Sequence, residues 1–238
     1  MSGKTNVIGS LNVLRCADRH GVEKVINIST DKAADATSVL GKTKRIAEEL
    51  TAHYGKLTGR SYLSVRFGNV LGSRGSMLET FTRQISQGGP VTVTHPDITR
   101  YFMTIPEACQ LVIQAGAIGR PAEVLVLDMG APVRIHDVAR NLIRRSGRDV
   151  EIVFTGLRPN EKLEEVLFST DEAATTTEHE LIRRVSVPPL EPAALQGVDG
   201  ADPGSMTTIT GQRRREGRSE QRPSLVPLAE AGERRRGA

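Results

Sequence analysis

The sequence predicts an α/β protein with a mostly parallel sheet. Helical and strand-like segments alternate from the N-terminus to Pro188. The strand-like runs Val25-Ile26-Asn27-Ile28 and Glu123 to Leu127 are short and largely apolar, as in buried parallel strands. Glycines punctuate the segments, with Gly21 and Gly88-Gly89 standing just past helical patterns.

Residues 7–20 read as an amphipathic helix, with Val7, Leu11, Leu14 and Ala17 on one stripe. Val25 to Ile28 follows as a buried strand. A loop through Asp35 leads to a helix over 39–54, closed by His53-Tyr54-Gly55. Ser61 to Phe67 is the next strand, and Gly68, Gly72 and Gly75 mark the loop after it. A helix spans 77–87. Val91-Thr92-Val93 alternates and reads as part of a smaller sheet. Ile105 to Ala117 is a helix, Glu123 to Leu127 a strand, Ile135 to Arg145 a helix and Glu151 to Phe154 a strand. Glu161 to Phe168 is the last helix expected. From 189 to 238 Pro, Gly, Ser and Arg dominate, which predicts a disordered tail.

The 238 residues suffice for one core, or one core with a small satellite domain. A formal net charge of +4, shared between body and tail, leaves no nucleic-acid footprint. Cys16 and Cys109 sit in apolar helical contexts and read as reduced core thiols of a cytosolic protein. No Cys/His cluster has metal-site spacing, so no metal is expected. No apolar run is long enough to span a membrane, and residues 1–15 lack a signal-peptide pattern.

The chemistry concentrates at strand ends, where parallel sheets carry ligands. Ser29-Thr30-Asp31-Lys32 ends the first strand, twelve residues before Lys44. Asp31 and Lys32 can exchange protons, and Thr30 can bond a sugar hydroxyl. A solvated Asp-Lys pair in a loop would have the same residues. Lys44, within a helix, suits ribose hydroxyls or an ordinary surface position. A tyrosine is expected four residues before that lysine in a common class of nicotinamide enzymes; Leu40 stands there. Arg66-Phe67-Gly68-Asn69-Val70-Leu71-Gly72 sets Asn69 among glycines that permit close backbone approach, or simply a turn. Arg100 precedes Tyr101, and Arg158 precedes a helix start with Glu161; both arginines suit an anionic, phosphate-bearing ligand. The strand, Gly-rich turn and helix that open a dinucleotide-binding domain do not occur in the sequence.

These motifs together resemble the polysaccharide-biosynthesis branch of the extended short-chain dehydrogenase/reductase superfamily, and more closely its UDP-N-acetylglucosamine 4,6-dehydratases of the large, tyrosine-less type. The matching text runs from residue 4 to 188. It includes Ile28-Ser29-Thr30-Asp31-Lys32-Ala33, Lys44-Arg45, Arg66 to Ser76, Gly89 to Pro96, Thr99 to Glu107, and Gly156-Leu157-Arg158-Pro159 with Glu161-Lys162-Leu163. The resemblance implies the C-terminal portion of a Rossmann-like NAD(P) domain over 1–188, with a small nucleotide-sugar domain drawn mainly from 74–110 and 130–188.

The reaction implied oxidises sugar C4 with hydride passing to NAD or NADP, removes the C5 proton and the C6 hydroxyl, and returns hydride to C6. The resemblance assigns Thr30 to the C4 hydroxyl, Asp31 to the departing C6 oxygen, Lys32 to the C5 proton and Lys44 to the nicotinamide ribose. It puts Asn6, Ser29, Lys44 and Phe67 at the cofactor, and Asn69, Arg74, Arg100, Arg158 and Glu161 at the UDP-sugar. A nucleotide-sugar epimerase or reductase, or an inactive UDP-sugar-binding remnant, is the alternative. The large relatives are membrane-anchored with a cytoplasmic catalytic domain, so this chain is expected in the cytoplasm. The expected partners are a UDP-sugar and either a second copy in the full-length parent or a complementing N-terminal half. Without that half, the chain is expected to be inactive and prone to aggregate.

Overall fold

The computed structural model describes residues 3–73 and 75–195. A π-helical turn, Lys4–Gly9, runs into α1, Ser10–Arg19. Helical structure therefore begins earlier than the apolar stripe indicates. The stripe itself is as expected: Val7, Leu11, Leu14 and Ala17 are all buried. Gly21 follows with φ +67°, where a side chain would be strained. Strand β1, Lys24–Ile28, then leads through a 3-10 turn at Asp31–Ala33 to α2, Val39–Thr58. The Ser38 side chain caps α2 by accepting from the Gly41 N–H, a contact worth about 1 kcal/mol. Helix α2 does not close at His53-Tyr54-Gly55. It continues one turn to Gly59, whose φ of +66° ends it. Gly55 instead marks close packing, since a Cβ there would lie 2.5 Å from the Ala122 nitrogen.

The remaining elements are β2 Ser61–Arg66, β3 Asn69–Val70, α3 Met77–Ser86, β4 Val91–Val93, β5 Thr99–Arg100, β6 Phe102–Met103 and α4 Ile105–Ile118. They continue with β7 Glu123–Leu127, β8 Val133–Arg134, α5 Ile135–Ser146, β9 Ile152–Phe154, β10 Thr175–Thr176 and β11 Ile182–Ser186. The main sheet has the order β1-β2-β7-β11-β10. Strands β1, β2 and β7 are parallel, while β11 joins β7 antiparallel. Alternation along β2 and β7 builds three layers. Tyr62 faces α1 and α2; Val124 and Val126 meet Ala52 of α2; Leu63, Val65, Leu125 and Leu127 face α4. A second core around Phe81, Ile85, Val91, Val93 and Ala139 joins α3 and α5 to the parallel β4–β9 pair. Val91-Thr92-Val93 thus belongs to a separate small sheet, as its alternation predicts.

Five expectations are corrected. First, β1 is not a buried strand: it is the sheet edge among the described residues, and Ile28 is 41% exposed. Second, Glu161–Phe168 is not a helix. Its carbonyls serve distant donors, with Leu163 O accepting from Thr99 N–H and Leu167 O from Arg66. Those bonds hold the segment in a bent, non-helical course. Third, β11 was not expected, because Arg183 and Arg184 interrupt its apolar pattern. Fourth, the cysteines are exposed rather than core thiols, because they lie on the outer sides of α1 and α4. Fifth, residues 189–195 pack on the body: Leu190 is buried in the α1–α2 core, and its N–H bonds Glu49 O. The rest of the expected tail, and Arg74, lie outside the described residues.

Candidate functional site

The carboxyl end of β1 lies beside that of β2. Ser29 N–H donates to Val65 O and Asp31 N–H to Phe67 O, so the two strand ends are stitched together beyond the ladder. This fixes the Thr30-Asp31-Lys32 backbone before any side chain is considered. Helix α2 presses on the same turn, where only glycine fits: a Cβ on Gly41 would stand 2.2 Å from Lys32 O.

Asp31 is fully buried. Its Oδ1 accepts from Thr30 Oγ1 at 2.8 Å and from Lys32 Nζ at 3.0 Å. Its Oδ2 has no hydrogen-bond partner among the described residues, and neither does the buried Ser29 hydroxyl. Unpartnered buried polar atoms are costly and rare, and they point to a ligand or to chemistry. Asp31 Oδ2 looks toward Gly68, where an added Cβ would lie 3.1 Å from that oxygen and 2.9 Å from the Tyr101 Cβ. Lys44 reaches back from α2 to donate to Ile28 O at 2.9 Å. Burial lowers its pKa below the ordinary lysine value, with Glu48 partly offsetting the effect.

Gly68 also opens a cleft of about 650 Å³ between the main sheet and the smaller domain. Asn69, Arg100, Arg158 and Glu161 line it together with Ser76, Thr92 and Thr94. The four described residues expected at the UDP-sugar therefore converge on one cavity. Arg100 is held by Glu161 at 3.4 Å and by the carbonyls of Thr99 and Leu163. Glu161 also accepts the Arg158 N–H, leaving the exposed Arg158 side chain at the rim. Asn69 is fixed to Tyr101 O through its side chain.

Other expected residues sit elsewhere. Asn6 donates to Thr43 Oγ1 at 3.0 Å and so braces α2 rather than touching the triplet. Phe67 packs its ring in the α4-side core and offers only its carbonyl to Asp31. Leu40 lies on the first turn of α2, 44% exposed.

Two groups escaped sequence reasoning. Glu165 is buried with its Oε1 3.8 Å from Lys32 Nζ. Reading 161–168 as a helix hid it. The other is a charge network under the sheet end: buried Arg66 bonds both Glu48 and Glu172, and Arg45 also pairs with Glu172. Only the apolar surroundings of Arg66 in β2 hinted at it. No cluster among the described residues has the make-up of a metal site. No described helix is long and apolar enough to cross a membrane.

Comparison with known proteins fits this arrangement. A family described as "Polysaccharide biosynthesis protein" matches residues 2–187. The "Probable polysaccharide biosynthesis protein EpsC" of Bacillus subtilis is 54% identical over 71% of this chain and 29% of its own length. The "Capsular polysaccharide biosynthesis protein CapD" of Staphylococcus aureus is 51% identical over 77% of this chain and 31% of its own. The chain thus spans less than a third of these relatives. The solved structure of Pen from Bacillus thuringiensis superposes with a TM-score of 0.70 at 33% identity, covering 78% of this chain and 59% of that one. A dTDP-glucose 4,6-dehydratase from Bacillus anthracis, solved with NAD, shares the fold: TM-score 0.59 at 17% identity, over 70% of this chain and 60% of that one. The sheet is Rossmann-like, and the chain belongs to the polysaccharide biosynthesis protein family.

Proposed function

We propose that this chain carries the acid/base centre and sugar-nucleotide cleft of an NAD(P)-dependent nucleotide-sugar 4,6-dehydratase acting on UDP-N-acetylglucosamine or a similar UDP-sugar. The observation that carries this reading is Asp31. It is buried, bonded by Thr30 and Lys32 through one oxygen, and its other oxygen is unpartnered among the described residues, beside Gly68, which lines the cleft. Elimination needs an acid at the C6 oxygen and a base at C5 within one sugar's reach. Asp31 and Lys32, joined at 3.0 Å, supply that pair. Thr30, already bonded to Asp31, orients the C4 hydroxyl where Leu40 offers no proton acceptor.

The residues present fit a nicotinamide ribose. Ser29 has an unpartnered buried hydroxyl, and Lys44 uses one of three N–H donors on Ile28 O. When bound, the nicotinamide supplies the hydride chemistry that makes the C5 proton acidic. Arg100 and Arg158 suit the diphosphate, with the Glu161 carboxylate fixing Arg100 in place.

Two measurements test this. Titration calorimetry of UDP into the 238-residue chain should show binding, weakened about tenfold by Arg158→Ala. The chain is then incubated with UDP-N-acetylglucosamine, NAD or NADP, and a companion polypeptide carrying a Gly-rich dinucleotide-binding turn. Loss of water at C6, read by NMR, is the expected result. A C4-epimerised sugar that keeps its C6 hydroxyl would overturn the dehydratase reading. It would favour an epimerase instead, which the 37% identity to a UDP-glucose 4-epimerase of Rickettsia akari over 71% of this chain keeps in play.

A further inference from the structure

Lys32 has two carboxylate neighbours, not one. Asp31 Oδ1 lies 3.0 Å from its amine and Glu165 Oε1, from the segment after β9, lies 3.8 Å away. Both carboxylates are buried, and Lys32 itself is about a quarter exposed, with side-chain exposure of 24%. Glu165 belongs to the same strap as Arg158 and Glu161, which line the cleft. The strap is tied down by Lys162, whose Nζ donates to Asp35 O in the loop following the triplet. Burial pushes the Glu165 carboxyl up from its ordinary range. Lys32 opposes that rise, Asp31 adds to it, and Arg100 and Lys162 oppose it.

A proton count on the proposed elimination gives Glu165 a task. The C5–H bond breaks and its proton goes to the neutral Lys32 amine. The electron pair forms the C5=C6 bond, and the C6–O bond breaks as that oxygen takes a proton from Asp31 and leaves as water. Asp31 must be protonated at the start, so it becomes a carboxylate that can pair with the Lys32 ammonium only as the C6–O bond breaks. We propose that Glu165 is a positioning residue of the acid/base centre: its carboxylate holds the Lys32 amine 3.8 Å away and faces the ammonium that forms there until Asp31 has given up its proton. This inference rests on the dehydratase reading for its chemistry, but its geometry stands without it.

The test is the titration of Lys32 in the 238-residue chain, followed by competitive acetylation and mass spectrometry, with Lys44 as the internal reference. Removing a carboxylate at this distance lowers a lysine midpoint by about one pH unit. Glu165→Gln should therefore acetylate Lys32 about tenfold faster below the midpoint, with the reference unchanged. Glu165→Asp, which keeps the charge but draws it back, should give a smaller shift in the same direction. In the complemented dehydration assay, Glu165→Gln should move the limb that reports Lys32 deprotonation down by about one unit, and lower kcat. An unchanged Lys32 midpoint in a folded Glu165→Gln chain overturns the proposal. Should that variant not fold, an unchanged midpoint in Glu165→Asp does so. If Lys32 shifts but no C6 water is lost, the dehydratase reading fails and the coupling of Glu165 to Lys32 survives.

Discussion

Two charged clusters lie at the same end of the sheet, and they are built on opposite terms. Around Arg66, every charge is answered: Glu48 and Glu172 each pair with its guanidinium, and Arg45 adds a third cation–carboxylate contact. Around Asp31, one carboxylate oxygen and the neighbouring Ser29 hydroxyl stay without partners among the described residues. A completed buried network stabilises one conformation, because removing any member strands the others. An incomplete one costs stability and leaves polar atoms for a substrate. The contrast separates a structural arginine from the proposed acid/base centre although both occur in motif-rich stretches of sequence.

The two acids on the margins of these clusters respond oppositely to pH. Burial alone would push Glu172 up, but hydrogen bonds from Arg66 and the Ser169 N–H, with the charges of Arg66 and Arg45, hold it at about 2. Glu165 is shifted upward, chiefly by burial. A depressed carboxyl adds stability that is present above its unfolded pKa and fades as pH falls through the folded value. A raised one favours the fold at low pH and loses that contribution as pH rises through its folded value.

The sharpest way to break the comparison is to empty the satisfied network. Arg66→Ala should cost about 3–5 kcal/mol, because it leaves two buried carboxylates, Glu48 and Glu172, with Arg45 as their remaining cation; urea unfolding measures this, and a loss under about 1 kcal/mol would show the network to be dispensable. Asp31→Asn should do the reverse. Dehydration in the complemented assay should fall about 10²–10⁴-fold, while urea stability moves by no more than about 1 kcal/mol. A variant that unfolds as readily as Arg66→Ala would place Asp31 with the structural charges. Next comes acid titration. Wild-type stability should decline as pH drops from about 4.5 toward 2, and Glu172→Gln should flatten that decline; an unaltered slope would remove Glu172 from the account. The smallest effect is expected at the partly exposed Arg60–Asp18 pair, 3.0 Å apart. Asp18→Asn should change stability by under about 1 kcal/mol, and a larger loss would mean that burial is not what separates the clusters.

Much of this was legible in the chain. The stripe Val7, Leu11, Leu14, Ala17 named the buried face of α1, and the apolar run at 123–127 named the central strand β7. The strand-end position of Thr30-Asp31-Lys32 follows from the alternation of elements, whereas the grouping of Asn69, Arg100, Arg158 and Glu161 was implied by the family resemblance. The helix expected at 161–168 failed for a definite reason. Local pattern assumes that a backbone bonds itself, and at 161–168 it does not. The sequence Glu161 to Phe168 has helical composition, yet its carbonyls at Leu163 and Leu167 are taken by Thr99, Arg100 and Arg66. That strap brings Glu165 to Lys32 across more than a hundred residues of chain.

The amino-acid sequence by itself determined the α/β class, the family and the residue types of the proposed acid/base centre, because periodicity and motif spacing are local properties. Only the tertiary structure decided which charges are completed and which are left open, that β1 is an edge among the described residues, and that Glu165 faces Lys32. Those are properties of what packs on what: burial and partner count depend on distant segments, and no window of sequence contains them.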